Sequence, residues 1–258
     1  GDGLSHAGGI FSSGVPTTIR ETVESYSPKA GRKEPKSHFV DVTTLSEPTS
    51  VDRDDLGDAQ RRAADWLLDA TRTGAGTHLL VYPASGMQPG MRATKRRATV
   101  DVLTSDVDQI SQMREALVLE GADDSIHIER IPGVVPDPKQ WHGHYDAIVT
   151  VEKVEQLGPT ERKGYIRAVD RFLTPNGRAA IQSIVATDSM TEAGRASLQA
   201  LRAYIWPGLD YPLTTDLHQL VDKNSNLRIV SETHVGTHYL ESLRQQRSFF
   251  DGHLREAA

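Results

Sequence analysis

A single carboxylate opens the chemical reading of this chain. Glu155 follows the apolar run Ala147–Val151 by four positions, so it lies just past the carboxyl end of a strand. That is where ligand sites of α/β sheets collect, and a carboxylate there can take a proton, hold a base or face a cation. The alternative is a loop glutamate in water. Other candidates are less specific. His142 and His144 stand near Asp137, but Pro136, Pro138 and Gly143 interrupt them and describe a surface loop rather than a metal site. His234 and His238 are four apart across Gly236, a spacing that does not make them ligands. Gly86 to Gly90 could cradle an anion at a helix start, although no phosphate-binding lysine follows the pattern. The aromatics Tyr204, Trp206 and Tyr211 either line a cleft or pack a cover onto the core. With no cysteine in 258 residues, disulfides, thiolate metal ligands and thiol nucleophiles are all excluded.

These residues need a scaffold, and the hydrophobic pattern supplies one. Short β-type runs at His78–Tyr82, Thr99–Thr104, Ser125–Ile131, Ala147–Val151, Ala179–Val185 and Leu227–Val235 alternate with helical segments at Val107–Leu119, Thr160–Leu173 and Ala193–Ile205. A further helix carries Leu56, Ala59, Ala63, Trp66, Leu67 and Ala70 on one stripe. The strands are nearly continuous in apolar residues, which predicts an α/β fold with a mostly parallel sheet and helices on both faces. Residues 1–50 hold few apolar periodicities and read as a flexible arm, with the domain proper over 51–258. The formal charge of −6 is spread without a basic stripe, which argues against nucleic acid as a partner. No apolar run approaches the length of a membrane span and no leader is visible, so the expectation is a cytoplasmic protein whose membrane contact, if any, is peripheral.

Several motifs occur in an order that resembles the cyclopropane-fatty-acid synthase family of S-adenosylmethionine (SAM) methyltransferases. Asp58-Ala-Gln60 opens the helix before the first sheet strand. Val102-Leu-Thr-Ser-Asp-Val-Asp-Gln109 is similar to the family's G-[IL]-T-L-S-x-x-Q. Tyr145 to Gly158 resembles the strand and loop that end in a catalytic glutamate. Leu173-Thr-Pro-Asn-Gly177 matches an L-x-P-x-G turn, and Tyr204-Ile-Trp-Pro-Gly208 looks like part of a lid. Gly236-Thr-His-Tyr239 with Leu243 resembles G-x-x-Y-x-x-T-L. The resemblance covers roughly residues 55–250. It implies a Rossmann-like class I methyltransferase fold, a lid over about 186–222, and methyl transfer from SAM to the double bond of a lipid acyl chain.

The resemblance also assigns residues. Glu155 and Tyr239 fall on two members of a cage that holds a bicarbonate base, and Gln182 falls on its histidine; the cage's cysteine position, near Ser46-Glu-Pro48, is empty. For Tyr239 the competing reading is a buried structural hydroxyl. Gln109 falls on a ribose-facing position, or serves only to start its helix. The glycine-rich cofactor loop E-x-G-x-G-x-G corresponds to Val81 onward, with Pro83, Ser85 and Met87 at the glycine positions, which leaves Ser85 and Gly86 as doubtful cofactor contacts. An acid that neighbours the adenine is replaced in Ile131-Pro-Gly133. These losses point to a degenerate member without bound SAM, acting as a non-catalytic subunit or lipid-binding partner of an active homologue, on a sheet that lacks its last strand. The alternative is an active SAM-dependent C-methyltransferase or cyclopropane synthase that acts on unsaturated acyl lipids with an unusual cofactor loop.

Overall fold

The computed structural model describes residues 8–25, 36–49, 56–82, 86–186 (apart from 123, 134, 138 and 140) and 211–245. The chain divides into two units, the larger around Leu67–Arg228 and the smaller drawn from Gly1–Glu24, Lys36–Trp66 and Ile229–Ala258.

The larger unit is a five-stranded parallel sheet in the order β5-β4-β3-β6-β7, made of β3 (His78–Val81), β4 (Thr99–Thr104), β5 (Ile126–Arg130), β6 (Tyr145–Val151) and β7 (Leu173–Gln182). Its helices are α2 (Gln88–Lys95), α3 (Val107–Leu119), α4 (Pro159–Phe172) and α5 (Thr214–Asn224). The middle strands are apolar throughout: Leu79, Leu80 and Val81 on β3, and Ala147, Ile148 and Val149 on β6, are all buried. Connections from β3 run outward through β4 to β5, and those from β6 run the other way to β7. The crevice at the carboxyl ends of β3 and β6 is therefore the switch point where doubly wound sheets take ligands. Local chemistry sets the helix starts. Asp106 caps α3 by accepting from the Asp108 and Gln109 amides at 3.0 and 3.3 Å. Pro159 opens α4, where the missing N–H costs nothing.

At the amino end of this sheet Tyr145 is fully buried, and its hydroxyl donates to Asp101 Oδ2 at 2.7 Å. Burial, and then the Asp101 carboxylate, push its phenol above the ordinary range. The family-type turn Leu173 to Gly177 enters β7 as an irregularity, because Tyr145 pairs with Leu173 while Ala147 already pairs with Arg178.

The smaller unit corrects the expectation of a flexible arm over residues 1–50. Its described residues hold β1 (Thr17–Ser25) and β2 (Lys36–Thr44), which form a three-stranded sheet with β8 (Ser231–His234) in the order β1-β2-β8. Strand β8 pairs in parallel with β2, from Asp41↔Ser231 to Thr44↔His234, so the predicted strand Leu227–Val235 is shorter and serves this sheet rather than the larger one. Among the described residues β7 is the last strand on its side of the larger sheet. The arm escapes a periodicity search because backbone bonding organises it. Ile10 donates to the Ala59 carbonyl at 2.9 Å, Thr49 donates to the Ser12 carbonyl at 2.9 Å, and Ser13 and Pro48 form an isolated bridge.

Helix α1 (Leu56–Ala70) buries Ala59, Ala63, Ala64, Leu67 and Leu68. The predicted stripe is thus rotated, with Trp66 left partly exposed and its indole N–H donating to Thr233 Oγ1 at 3.2 Å. A helix over 236–245, α6, carries the clasp of this unit. His238 is fully buried, and its Nδ1 accepts from the Phe11 amide at 2.9 Å while Nε2 donates to the Ser46 carbonyl at 2.8 Å. A carbonyl can only accept, so the ring is the neutral Nε2–H tautomer. Ser242, one turn on, accepts from the Gly9 amide at 2.9 Å. No helix among the described residues is long and apolar enough to cross a membrane.

The clasp gives a stability prediction. His238→Ala leaves a buried amide and a buried carbonyl without partners, at about 1–3 kcal/mol each. The variant is expected to unfold at least about 2 kcal/mol more easily in denaturant titration, with proteolytic cuts appearing first around residues 8–13. Unchanged stability would mean that water or a rearranged backbone replaces the imidazole.

Candidate active site

The site forms where β6 and β7 end side by side. After Val151 the chain turns through Glu152, whose φ of 52° places a non-glycine residue in the left-handed region. Its amide donates to the Gln182 carbonyl at 2.7 Å, which ties the ends of the two strands together. A short 3₁₀ turn, Val154–Gln156, then carries Glu155, and Gly158 leads into α4.

Glu155 is only 1% exposed. Its Oε2 accepts from the Ser183 hydroxyl at 2.8 Å and its Oε1 from the Ile184 amide at 3.3 Å. Burial raises its carboxyl above the ordinary range, against these hydrogen bonds and the positive charge of Arg162, which favour the anion. Arg162, from the first turn of α4, is itself buried. Its Nε donates to the Val154 carbonyl at 2.9 Å and its Nη2 to the Glu155 carbonyl at 3.1 Å.

Gln182 lies beside this carboxylate, at the end of β7, and donates through Nε2 to Glu152 Oε1 at 3.3 Å. Tyr211 completes the cluster. The bond from the Ala186 amide to the Pro212 carbonyl, 2.9 Å, anchors its segment to the chain that continues β7. Burial and the nearby carboxylates of Glu155 and Glu152 raise its phenol, so its hydroxyl stays neutral in their field. A buried carboxylate with a raised proton affinity, fixed by two donors beside a second carboxylate and a phenol, can accept a proton or stabilise a developing cation.

The other predicted residues fall at varying distances from this arrangement. Gln109 lies at the carboxyl end of β4, in the first turn of α3, and its Oε1 accepts from the Thr104 hydroxyl at 2.7 Å. Gly86 takes φ = 103°, a conformation that requires glycine, immediately before α2. Gly90 sits where an added Cβ would meet Ile126 Cδ1 at 3.3 Å and Val100 Cγ1 at 3.6 Å, so it lets α2 lie close on the sheet. Val81 is buried at the end of β3. Ser85, Pro83, Tyr204 and Trp206 lie outside the described residues, as do the predicted helix Ala193–Ile205 and most of the lid. Tyr239 belongs to the smaller unit, on α6, where its amide donates to the Val235 carbonyl at 3.0 Å.

The histidine candidates are engaged locally. His142 Nε2 donates to the Lys139 carbonyl at 3.0 Å, Asp137 Oδ1 accepts from the Lys139 amide at 2.9 Å, and His234 meets Glu232 at 3.2 Å. Sequence reasoning missed Glu152, Ser183 and Arg162. Glu152 carries a usable signal, being an acid directly after a fully apolar strand. Ser183 and Arg162 carry none, because each acts only through contacts that the fold creates.

Comparison with known proteins gives this geometry a lineage. The family model for mycolic acid cyclopropane synthetase matches residues 48–258. The chain is 30% identical over 212 residues to the tuberculostearic acid methyltransferase UfaA1 of Mycobacterium tuberculosis, a match covering 82% of this chain and 48% of that one. It thus spans about half the length of that curated relative. Among solved structures, mycolic acid cyclopropane synthase CmaA1 complexed with SAH and CTAB aligns with a TM-score of 0.56 at 18% identity, over 66% of this chain and 61% of that one. The cyclopropane synthase MmaA2 from Mycobacterium tuberculosis gives 0.55 at 18% identity, over 65% and 60% of the two chains. A putative sarcosine dimethylglycine methyltransferase from Galdieria sulphuraria gives 0.55 at 20% identity, over 68% and 64%. These structural likenesses show the class I methyltransferase fold, and the match over residues 48–258 shows the family: the chain belongs to the mycolic acid cyclopropane synthetase family of the SAM-dependent methyltransferases.

Proposed function

We propose that this chain is a SAM-dependent C-methyltransferase acting on an unsaturated acyl lipid, with Glu155 as the carboxylate that takes up or relays the proton released after methyl transfer. The observation that carries this reading is the state of Glu155. The carboxylate is buried, desolvated and held by two donors at the ligand end of the sheet, the arrangement a proton acceptor at that place requires. Family membership and the named activity of the relative UfaA1 support the same class of chemistry.

The cofactor fits this chain in part. Gly86 at positive φ and the close seat of α2 through Gly90 let the start of α2 lie near the sheet, from positions other than the usual glycines. Gln109 stands at the end of β4, where a ribose would lie on the family pattern. Val81 offers no carboxylate at the end of β3 and Ile131-Pro-Gly133 none at the adenine-side position, so two acidic contacts are missing. SAM, when bound, supplies an electrophilic methyl group on sulfur. The chain's own residues do the rest. Ser183 and Ile184 fix the orientation of the Glu155 carboxylate, and burial strengthens it as a proton acceptor. Tyr211 adds a neutral phenol within the field of Glu155 and Glu152, and Gln182 is turned toward Glu152.

A second reading has its own support. Val81, together with Pro83, Ser85 and Met87 at the usual glycine positions, favours a member that has lost SAM and serves as a non-catalytic subunit or lipid-binding partner of an active homologue. Calorimetric titration with SAM and S-adenosylhomocysteine separates the two. Loss of one hydrogen bond to a charged group costs about 1.5–3 kcal/mol, or roughly 10–100-fold in affinity. Two acids are missing here, so binding is expected, weaker than in a family member with both acids intact by up to roughly the square of that factor. A folded protein that gives no heat with either ligand decides for the second reading.

For the active enzyme, Glu155→Gln is expected to cut methyl transfer to an unsaturated acyl lipid by at least about 100-fold, with cofactor binding and fold retained. The amide can still accept from Ile184 while Ser183 reorients to accept from its NH₂. Activity that survives this change overturns the assigned role. The pH dependence has a defined sign. The working form is the carboxylate, so activity falls as pH drops through the raised value, placing the acid limb above the ordinary 4.5 of a glutamate. For stability the same shift acts in reverse. The folded state binds this proton more tightly than the unfolded chain, so the contribution of Glu155 favours folding at acid pH and declines as pH rises through the window. Glu155→Gln should remove that decline in urea titrations run across the pH range.

A further inference from the structure

We propose that Arg162 is the positioning residue of this site, its buried guanidinium clamping the two carbonyls of the turn that presents Glu155. The inference rests on the reading of Glu155 as the working carboxylate and adds the group that controls it. Arg162 is 8% exposed, and a guanidinium at that depth must find acceptors for its fork of donors. It finds them in consecutive residues. Nε reaches the Val154 carbonyl at 2.9 Å and Nη2 the Glu155 carbonyl at 3.1 Å. Its own amide donates to the Gly158 carbonyl at 2.9 Å, so the side chain reaches back from the helix start onto the 3₁₀ turn just before it. A 3₁₀ turn three residues long has little stability of its own, and its geometry is set by what holds it. Two donors in a fixed plane hold it in one orientation, which a single flexible ammonium cannot do.

The same group acts on the charge of the site. Arg162 favours the anionic form of Glu155, opposing burial. The other ionisable groups that face the cluster pull differently. Glu152, at the end of β6, is a like charge held toward Gln182, and Tyr211, before α5, is a neutral phenol whose proton both acids retain. Arg162 is thus the cation that β6, β7, α4 and the segment before α5 set against these acids. Without that cation, burial of Glu155 would be opposed by its hydrogen bonds alone and its carboxyl would hold the proton more tightly.

Arg162→Met, Arg162→Gln and Arg162→Lys test this. The primary readout is the titration midpoint of the Glu155 carboxyl, followed by carboxyl-detected NMR on glutamate-labelled protein and assigned by its loss in Glu155→Gln. It needs neither cofactor nor turnover. The midpoint is expected to rise in the Met and Gln variants and to lie closer to wild type in the Lys variant. In turnover, the acid limb should rise by the same amount in the Met variant. The Lys variant, which keeps the charge and loses the fork, should fall in kcat by up to roughly 100-fold with little change in KM. An unchanged midpoint in folded Met and Gln variants overturns the proposal, since a purely structural arginine would alter stability alone. If the Met variant does not fold, the Gln variant carries the same decision, with the Lys variant as the charge-retaining reference. A midpoint that moves in a protein that binds no SAM supports the role of Arg162 and removes the enzymatic reading, so the two fail separately.

Discussion

Burial of one carboxylate constrains everything around the site. Removing an ion from water carries an effective penalty of several kcal/mol even after relaxation, and Glu155 is almost wholly enclosed. The surroundings offset that penalty from three directions. The end of β7 contributes a hydroxyl and an amide, α4 contributes a cation, and β6 delivers the turn itself. None of these would be required by a parallel sheet as such. Glu152 adds a second constraint, because its left-handed backbone carries a cost of order 1 kcal/mol or more for a residue with a Cβ. Its amide and side chain both engage Gln182, so the strained residue is what joins the ends of the two strands.

The smaller unit is stabilised by a different balance. Its outer strand is polar and exposed, and Ile19 and Phe39 face solvent. Side-chain burial there is concentrated in a few residues such as Phe11, Val40 and Leu45. Directional bonds do more of the work, with one neutral imidazole and one hydroxyl from α6 joining residues 9, 11 and 46. Gly9 has its role in this context. A Cβ at that position would come within 2.6 Å of the Ala59 side chain, so the segment approaches α1 as closely as a backbone can.

Legibility in the sequence followed from which force organises each element. The buried parallel strands were visible because both faces are apolar, and α3 was read with the bounds it has, Val107–Leu119, because periodicity and its Asp106 cap agree. Strands β1 and β2 were hidden, since partly solvated, hydrogen-bonded strands leave a weak pattern in composition. Trp66 was misplaced because size suggested the core, whereas its indole needs a polar partner and finds one in Thr233. At the site, Glu155 was legible from its place after an apolar strand. Ser183 and Arg162 became visible only when β7 and α4 were brought against it, and Gln182 proved to be turned toward Glu152, an acid that the sequence reading had passed over.

The altered cofactor loop is easier to weigh once its two tasks are separated. One task is steric: the backbone must turn sharply after β3 and bring a helix start close to the ligand. The other is electrostatic: an acid at the strand end must meet a polar group of the cofactor. Gly86, at a φ no L-residue adopts easily, and Gly90, where a Cβ would crowd Ile126, bear on the first task from positions other than the usual glycines. Val81 abandons the second, and as a buried apolar residue it strengthens the central strand instead. Pro83, Ser85 and Met87 fill the usual glycine positions, so the glycines at 86 and 90 belong to a differently spaced loop. Both tasks are thus altered in this chain, the steric one by a shifted glycine spacing and the electrostatic one by the loss of acids, so cofactor affinity is the quantity on which the two functional readings part.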